Sequence, residues 1–278
     1  MRVVDEHDQV RRQVRGGQVR RQEAHASEHE GEVRRQQVRT QVWSEVRSQV
    51  RCPALMAPAS GRRPRAPVGG TDADAAGQRL LETYAALAAR GEHLLHGLLA
   101  GKPPRQWQHY PENDAIDRVS GYQWFYHSHS PEDRSGASEH GHFHLFACRP
   151  LWAGRLRSGA EKAFAALTGD PQVSVTTRHL LGMGMSAKGV PTSLFTVNSW
   201  VTGDLMLSAA GTERLLARMR LDTGHASIDA VLESVVALCA GEIHEVMAAR
   251  DATLSSRPVH GVLADRNLEL LSEMVIAL

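Results

Sequence analysis

The reading of this chain turns on two runs and the loop between them. The first is Gly121-Tyr-Gln-Trp-Phe-Tyr-His-Ser-His129, and the second is Glu139-His-Gly-His-Phe-His-Leu-Phe-Ala-Cys148. Tyr122–His129 and Gly141–Cys148 are dense in aromatic and apolar residues and read as strands, while the polar stretch 130–139 is long enough to return the chain antiparallel. Five of the fifteen histidines fall here: His127, His129, His140, His142 and His144. Side chains of a strand alternate faces with period two, so His127 and His129 share a face. By the same rule His140, His142 and His144 share one, and Phe143 and Leu145 turn to the other with Tyr126 and Ser128.

Two registers put both sets together. One pairs 129 with 142 and 127 with 144. The other is slipped by two residues, pairing 129 with 140 and 127 with 142. Each brings four imidazoles within cross-strand reach, about 4.5–5.5 Å between Cβ atoms. Such a cluster suits a divalent transition metal, Zn or Fe first, bound through nitrogen at about 2.0–2.1 Å. The expected ligands are His127, His129, His142 and His144. Glu139 and His140, at the loop edge, are the expected catalytic or supplementary groups, and Glu132 is a further carboxylate nearby. Three ligands with an open position would make a metal-dependent enzyme, and four in a closed tetrahedron a structural site. The competing class is a non-catalytic binding or regulatory module with a metal-free, pH-sensitive histidine pocket.

Working outward, residues 72–100 carry leucines at helical spacing, ended by Gly101 and the Pro103–Pro104 pair. A short helix is expected over 158–167, a hairpin from His179–Met185 and Ser193–Val201, and a helix over Thr212–Met219. A long amphipathic helix is expected over Ile228–Ala249 and a last one over Asp265–Met274. A helix, about four antiparallel strands and more helices make an α+β pattern, without βαβ alternation or a Gly-rich phosphate loop. His179 opens a strand and can join the site. Asn198 and Trp200 can face it, whereas Trp124 and Tyr126 fill the core. His109, His225, His244 and His260 have no partners in sequence.

The 278 residues are 42% hydrophobic and 23% charged, with a net charge of +1, a balance that excludes a disordered or collagen-like chain. The charge is unevenly spread. Residues 1–70 hold 14 Arg, no Lys and 8 acidic residues, a balance of +6, and repeat Gln-Val-Arg motifs that cannot bury a core. They are expected to be a disordered or weakly helical extension, a nucleic-acid-binding arm, or a start-site artefact upstream of Met56; residues 71–278 are expected to form one domain. With no apolar run of membrane-spanning length, no signal-type segment and three scattered cysteines (Cys52, Cys148, Cys239), the expectation is a cytoplasmic protein with free thiols. A small-molecule ligand or substrate fits such a protein. Neither a membrane nor nucleic acid does, since the folded part is acidic and Trp43 alone interleaves the arginines.

Gly121, five residues, His127-Ser-His129 and then Glu132 resemble the first cupin motif; the second motif is missing, so the likeness implies a metal-bearing β-structure without a cupin barrel. A longer resemblance runs from about 75 to the end. It rests on Tyr110-Pro111, Tyr-His-Ser-His at 126–129, Glu-His-Gly-His-Phe-His at 139–144, His179-Leu180 and Asn-Ser-Trp-Val-Thr-Gly-Asp at 198–204. The succession resembles an uncharacterised bacterial domain family of unknown function. That resemblance implies a shared α+β fold and a shared histidine-rich pocket, and no activity.

Overall fold

The computed structural model of the chain describes residues 72–106, 108–128, 139–169 and 176–278. Its centre is an antiparallel sheet in which β1 (Tyr110–Ile116), β2 (Tyr122–Ser128), β3 (Gly141–Cys148), β4 (Thr177–Met185), β5 (Pro191–Val197) and β6 (Leu270–Val275) lie side by side in chain order. The helices of eight or more residues are α1 (Asp72–Ala89), α2 (Gly159–Thr168), α3 (Ala209–Leu216), α4 (Ala226–Leu238) and α5 (Ala240–Ser255). The class is α+β, as the sequence pattern indicates, but the sheet has six strands and not four.

Both added strands lie at sheet edges. β1 reads Tyr-Pro-Glu-Asn-Asp-Ala-Ile, with a proline and two acids that mark a loop by composition, yet an edge strand tolerates them. β6 falls in the stretch expected as a last helix. Leu271 and Met274 are three apart, which suits a helix, but pairing with β5 overrides local preference. There Met274 stands opposite Leu194, and Thr196 Oγ1 lies 2.6 Å from Ser272 Oγ. The first expected helix stops at Ala89, where Gly91 takes a left-handed φ of 68°, and only a short turn at His96–Leu99 continues the leucine pattern. The long expected helix divides at Cys239, whose ψ of 30° leaves the helical range between α4 and α5.

One face of the sheet carries the apolar core. Trp124 and Tyr126 of β2, Phe143 and Leu145 of β3, Leu181 and Met183 of β4 and Leu194 of β5 join Leu80 and Leu87 of α1, Val231 and Val235 of α4 and Met247 of α5. Each such side chain contributes roughly 1.5–3 kcal/mol on burial. Trp124 Nε1 donates to Asp229 Oδ1 of α4 at 3.0 Å, so the largest residue of the layer is also hydrogen-bonded. Phe143 lies 5.4 Å from the Trp124 ring and 5.1 Å from that of Tyr126, on the face expected for it. β2 and β3 are buried along their whole length, so the opposite face is an interior too. That second interior holds the histidines.

Among the described residues no helix is long and apolar enough to cross a membrane. The expectation of three free thiols does not hold. Cys239 is free and buried, and burial pushes its thiol up to about 11, whereas Cys148 is disulfide-bonded. The cysteines therefore give no support to a reducing compartment.

Candidate metal centre

β2 and β3 pair with His127 opposite His142, Phe125 opposite His144 and Tyr126 opposite Phe143. This is the second of the two expected registers. A one-residue slip would bring Phe143 and Leu145 out of the apolar layer, which is why the pairing is fixed. His127 Nε2 and His142 Nε2 approach to 2.6 Å. The three rings of His127, His142 and His144 lie at centroid separations of 4.4, 5.2 and 4.8 Å, with steep interplanar angles of 63°, 79° and 86°. One ligand atom from each falls within 4.8 Å of the others, and all three residues are buried.

Three nitrogens around one ion at 2.0–2.1 Å stand about 3.3 Å apart in a tetrahedral set, with ring centres roughly 5 Å apart. The centroid spacing already matches. The His127 and His142 nitrogens must separate by about 0.7 Å to share an ion. At 2.6 Å these two atoms share a proton, because two facing lone pairs repel, and an ion would take its place once they separate.

Two groups orient the triad from behind. Glu139 Oε1 accepts from His142 Nδ1 at 3.3 Å, which places the ring proton on Nδ1 and leaves the Nε2 lone pair facing His127. His144 Nδ1 lies 2.9 Å from His179 Nε2, so Nε2 of His144 remains for the triad. Burial, then Arg250 and His142, push His179 down to about 3, so it is neutral and able to accept the His144 proton. His179 is the site residue that strict alternation misplaces. Counting by two puts it with Leu181 and Met183 on the core face. A register shift at Leu145/Phe146 sets it opposite Phe146 instead, on the histidine face.

Two glycines of β4 make room. Gly184 stands opposite His142 and Gly182 opposite His144. A Cβ at Gly184 would collide with Ser193 Oγ and lie 2.5 Å from Glu139 Oε2, and one at Gly182 would enter the Phe195 ring. Glycine there lets the Glu139 carboxylate reach His142 and lets Phe195 lie 4.9 Å from the His142 ring. A Gly-x-Gly within an apolar strand was the available sequence signal for such close approach.

Other expected residues go elsewhere. His129 and Glu132 lie outside the described residues. His140 does not share the face of His142 and His144. It precedes the first residue of β3, where alternation has not begun, and its Nδ1 lies 2.8 Å from the Tyr126 hydroxyl of the core-side layer. Burial there, then His93, lower its pKa. Asn198 and Trp200 do not face the pocket. Asn198 caps the Ser199–Thr202 turn and donates to the Val262 carbonyl, and Trp200 Nε1 donates to the Leu268 carbonyl, tying the end of β5 to the segment before β6. His109, set aside for want of a sequence partner, is on the site side, its ring stacked 3.7 Å from Phe125.

The fold and site together define an α+β domain whose sheet buries a histidine triad between strands. The family model described as a domain of unknown function, DUF6969, matches residues 74–276, and the chain belongs to that family. No curated protein and no solved structure matches it.

Proposed function

We propose that His127, His142 and His144 bind one divalent transition-metal ion, Zn or Fe first, and that this is a metal-binding domain with a position left for a small-molecule ligand or substrate. The convergence of three buried imidazole nitrogens within 4.8 Å carries the reading. An ion would join all three buried imidazoles at once. The Glu139 carboxylate behind His142 supports it, since carboxylate–histidine–metal relays fix the tautomer and offset part of the ion's charge. With three neutral ligands the ion acts as a Lewis acid toward a bound carbonyl or water, the basis for an enzymatic role. Glu139 serves as orienting group and counter-charge.

Cobalt(II) titration of metal-stripped, tag-free protein tests this. The expected result is visible absorption of a low-symmetry histidine site saturating at one equivalent, absent in His142→Ala and in His127→Ala. A wild-type spectrum indistinguishable from hexaaqua cobalt would contradict it and favour a proton shared between His127 and His142.

A further inference from the structure

We propose that Phe125, Phe146 and Phe195 are specificity residues of this site. Their rings wall the triad so that its ion takes four ligands, three imidazoles and one exchangeable small group, which selects Zn(II) over ions that favour six. The inference rests on the metal reading above and adds the coordination number and the ion.

On the face that the histidines share, Phe125 of β2 stands opposite His144 of β3, His144 opposite Gly182 of β4, and Gly182 opposite Phe195 of β5. Phe146 follows His144 by two residues along β3 and so turns to the same face. The Phe125, Phe195 and Phe146 rings are centred 5.2, 5.8 and 6.2 Å from that of His144. Phe195 also lies 4.9 Å from the His142 ring, and Phe125 lies 5.6 Å from that of His127. These are contact separations for aromatic rings, so no layer of water fits between a histidine and the phenyl beside it. All three phenyl groups are buried. Gly182 completes the wall: a Cβ there would enter the Phe195 ring, so glycine is what lets that ring lie over β4 against His144.

An ion that takes six ligands needs three from outside the triad. Phenyl rings offer no donor atoms, and among the described residues no carboxylate or thiolate joins the triad's ligand atoms. Water would have to supply the rest, and the carbon wall fills the space beside His144 where part of that shell would stand. Zn(II) makes no such demand, being bound tetrahedrally by three imidazoles and one further ligand. Geometry then decides the ion, because Ni(II) and Zn(II) both stand just below Cu(II) in the general affinity order.

Cobalt(II) added to the metal-stripped, tag-free full chain reports coordination through the intensity of its visible bands. Competition against a chromophoric chelator reports uptake of Co(II), Zn(II) and Ni(II) separately. Wild type is expected to give the intense bands of four-coordinate cobalt and to bind Zn(II) roughly 10-fold or more tightly than Ni(II). Phe195→Ala opens the wall beside both His142 and His144. It is expected to weaken the bands toward the pale spectrum of six-coordinate cobalt and to cut the Zn(II) preference roughly 10-fold. Phe195→Leu keeps an apolar filling, is expected to move both readings the same way by less, and serves if the alanine variant fails to fold. Failure of wild type to take up any of the three ions would overturn the function proposed above, and this inference with it. Uptake with six-coordinate cobalt bands, or with Ni(II) held as tightly as Zn(II), would overturn this inference alone. So would a folded Phe195 variant with unchanged bands and unchanged preference.

Discussion

Gly184→Ala places one methyl group against the Glu139 carboxylate that reaches His142. The new Cβ would stand 2.5 Å from Glu139 Oε2 and closer still to Ser193 Oγ. Ordinary contact needs about 3.4 Å or more, so the carboxylate must retreat by about 1 Å. The Glu139–His142 hydrogen bond is already 3.3 Å long, and that retreat takes it out of range. Loss of an orienting carboxylate typically weakens metal binding about 10- to 100-fold, or roughly 1.4–2.7 kcal/mol. Overpacking adds about 1–3 kcal/mol of destabilisation, a melting-temperature drop of about 2–12 °C. Competition against a chromophoric chelator reads the first quantity and a thermal melt the second. Glu139→Gln should reproduce the affinity loss without the collision. A folded Gly184→Ala protein with unchanged metal affinity would refute the orienting role of Glu139.

Other consequences can be checked separately. His179→Gln keeps an acceptor for His144 Nδ1 and should hold metal within a few-fold of wild type, whereas His179→Leu should lose about 10-fold or more by chelator competition. Asp229→Ala strips partners from Trp124 Nε1, Thr223 N and Thr223 Oγ1, and should cost about 2–4 kcal/mol, lowering the melting temperature by about 4–16 °C. Burial pushes the Tyr122 hydroxyl up to about 12 against the opposition of Arg155, Arg218 and Arg220. The group binds its proton more tightly folded than unfolded, so its contribution is intact below pH 10 and is lost as pH rises from 10 to 12. Tyr122→Phe should flatten that part of the alkaline stability profile, followed by denaturant melts, while losing the bond to the Leu215 carbonyl.

The strand pair was legible because its pattern is strong. Period-two alternation of large aromatics against histidines specifies β2 and β3, their faces and, through Phe143 and Leu145, a choice of registers. What escaped depends on partners distant in sequence. β6 carries helix-forming residues and becomes a strand only because β5 offers an open edge. β1 looks like a loop because Pro111 and its two acids weigh against a strand by composition, yet Asp114 is satisfied by His109 and Gln123. His179, expected only as able to join the site, reaches it through a bulge that no local residue type announces. His140 shows the opposite error, alternation extended one residue beyond the strand that justifies it.

The central claim is that the triad holds an ion, and elemental analysis of the full chain, purified without a tag or metal column, tests it most directly. The account predicts close to one equivalent of Zn, Fe or another first-row divalent metal per chain, retained through gel filtration and lost when His127, His142 and His144 are replaced together by Ala. A well-folded wild-type protein with no such metal, both as isolated and after reconstitution, would contradict it.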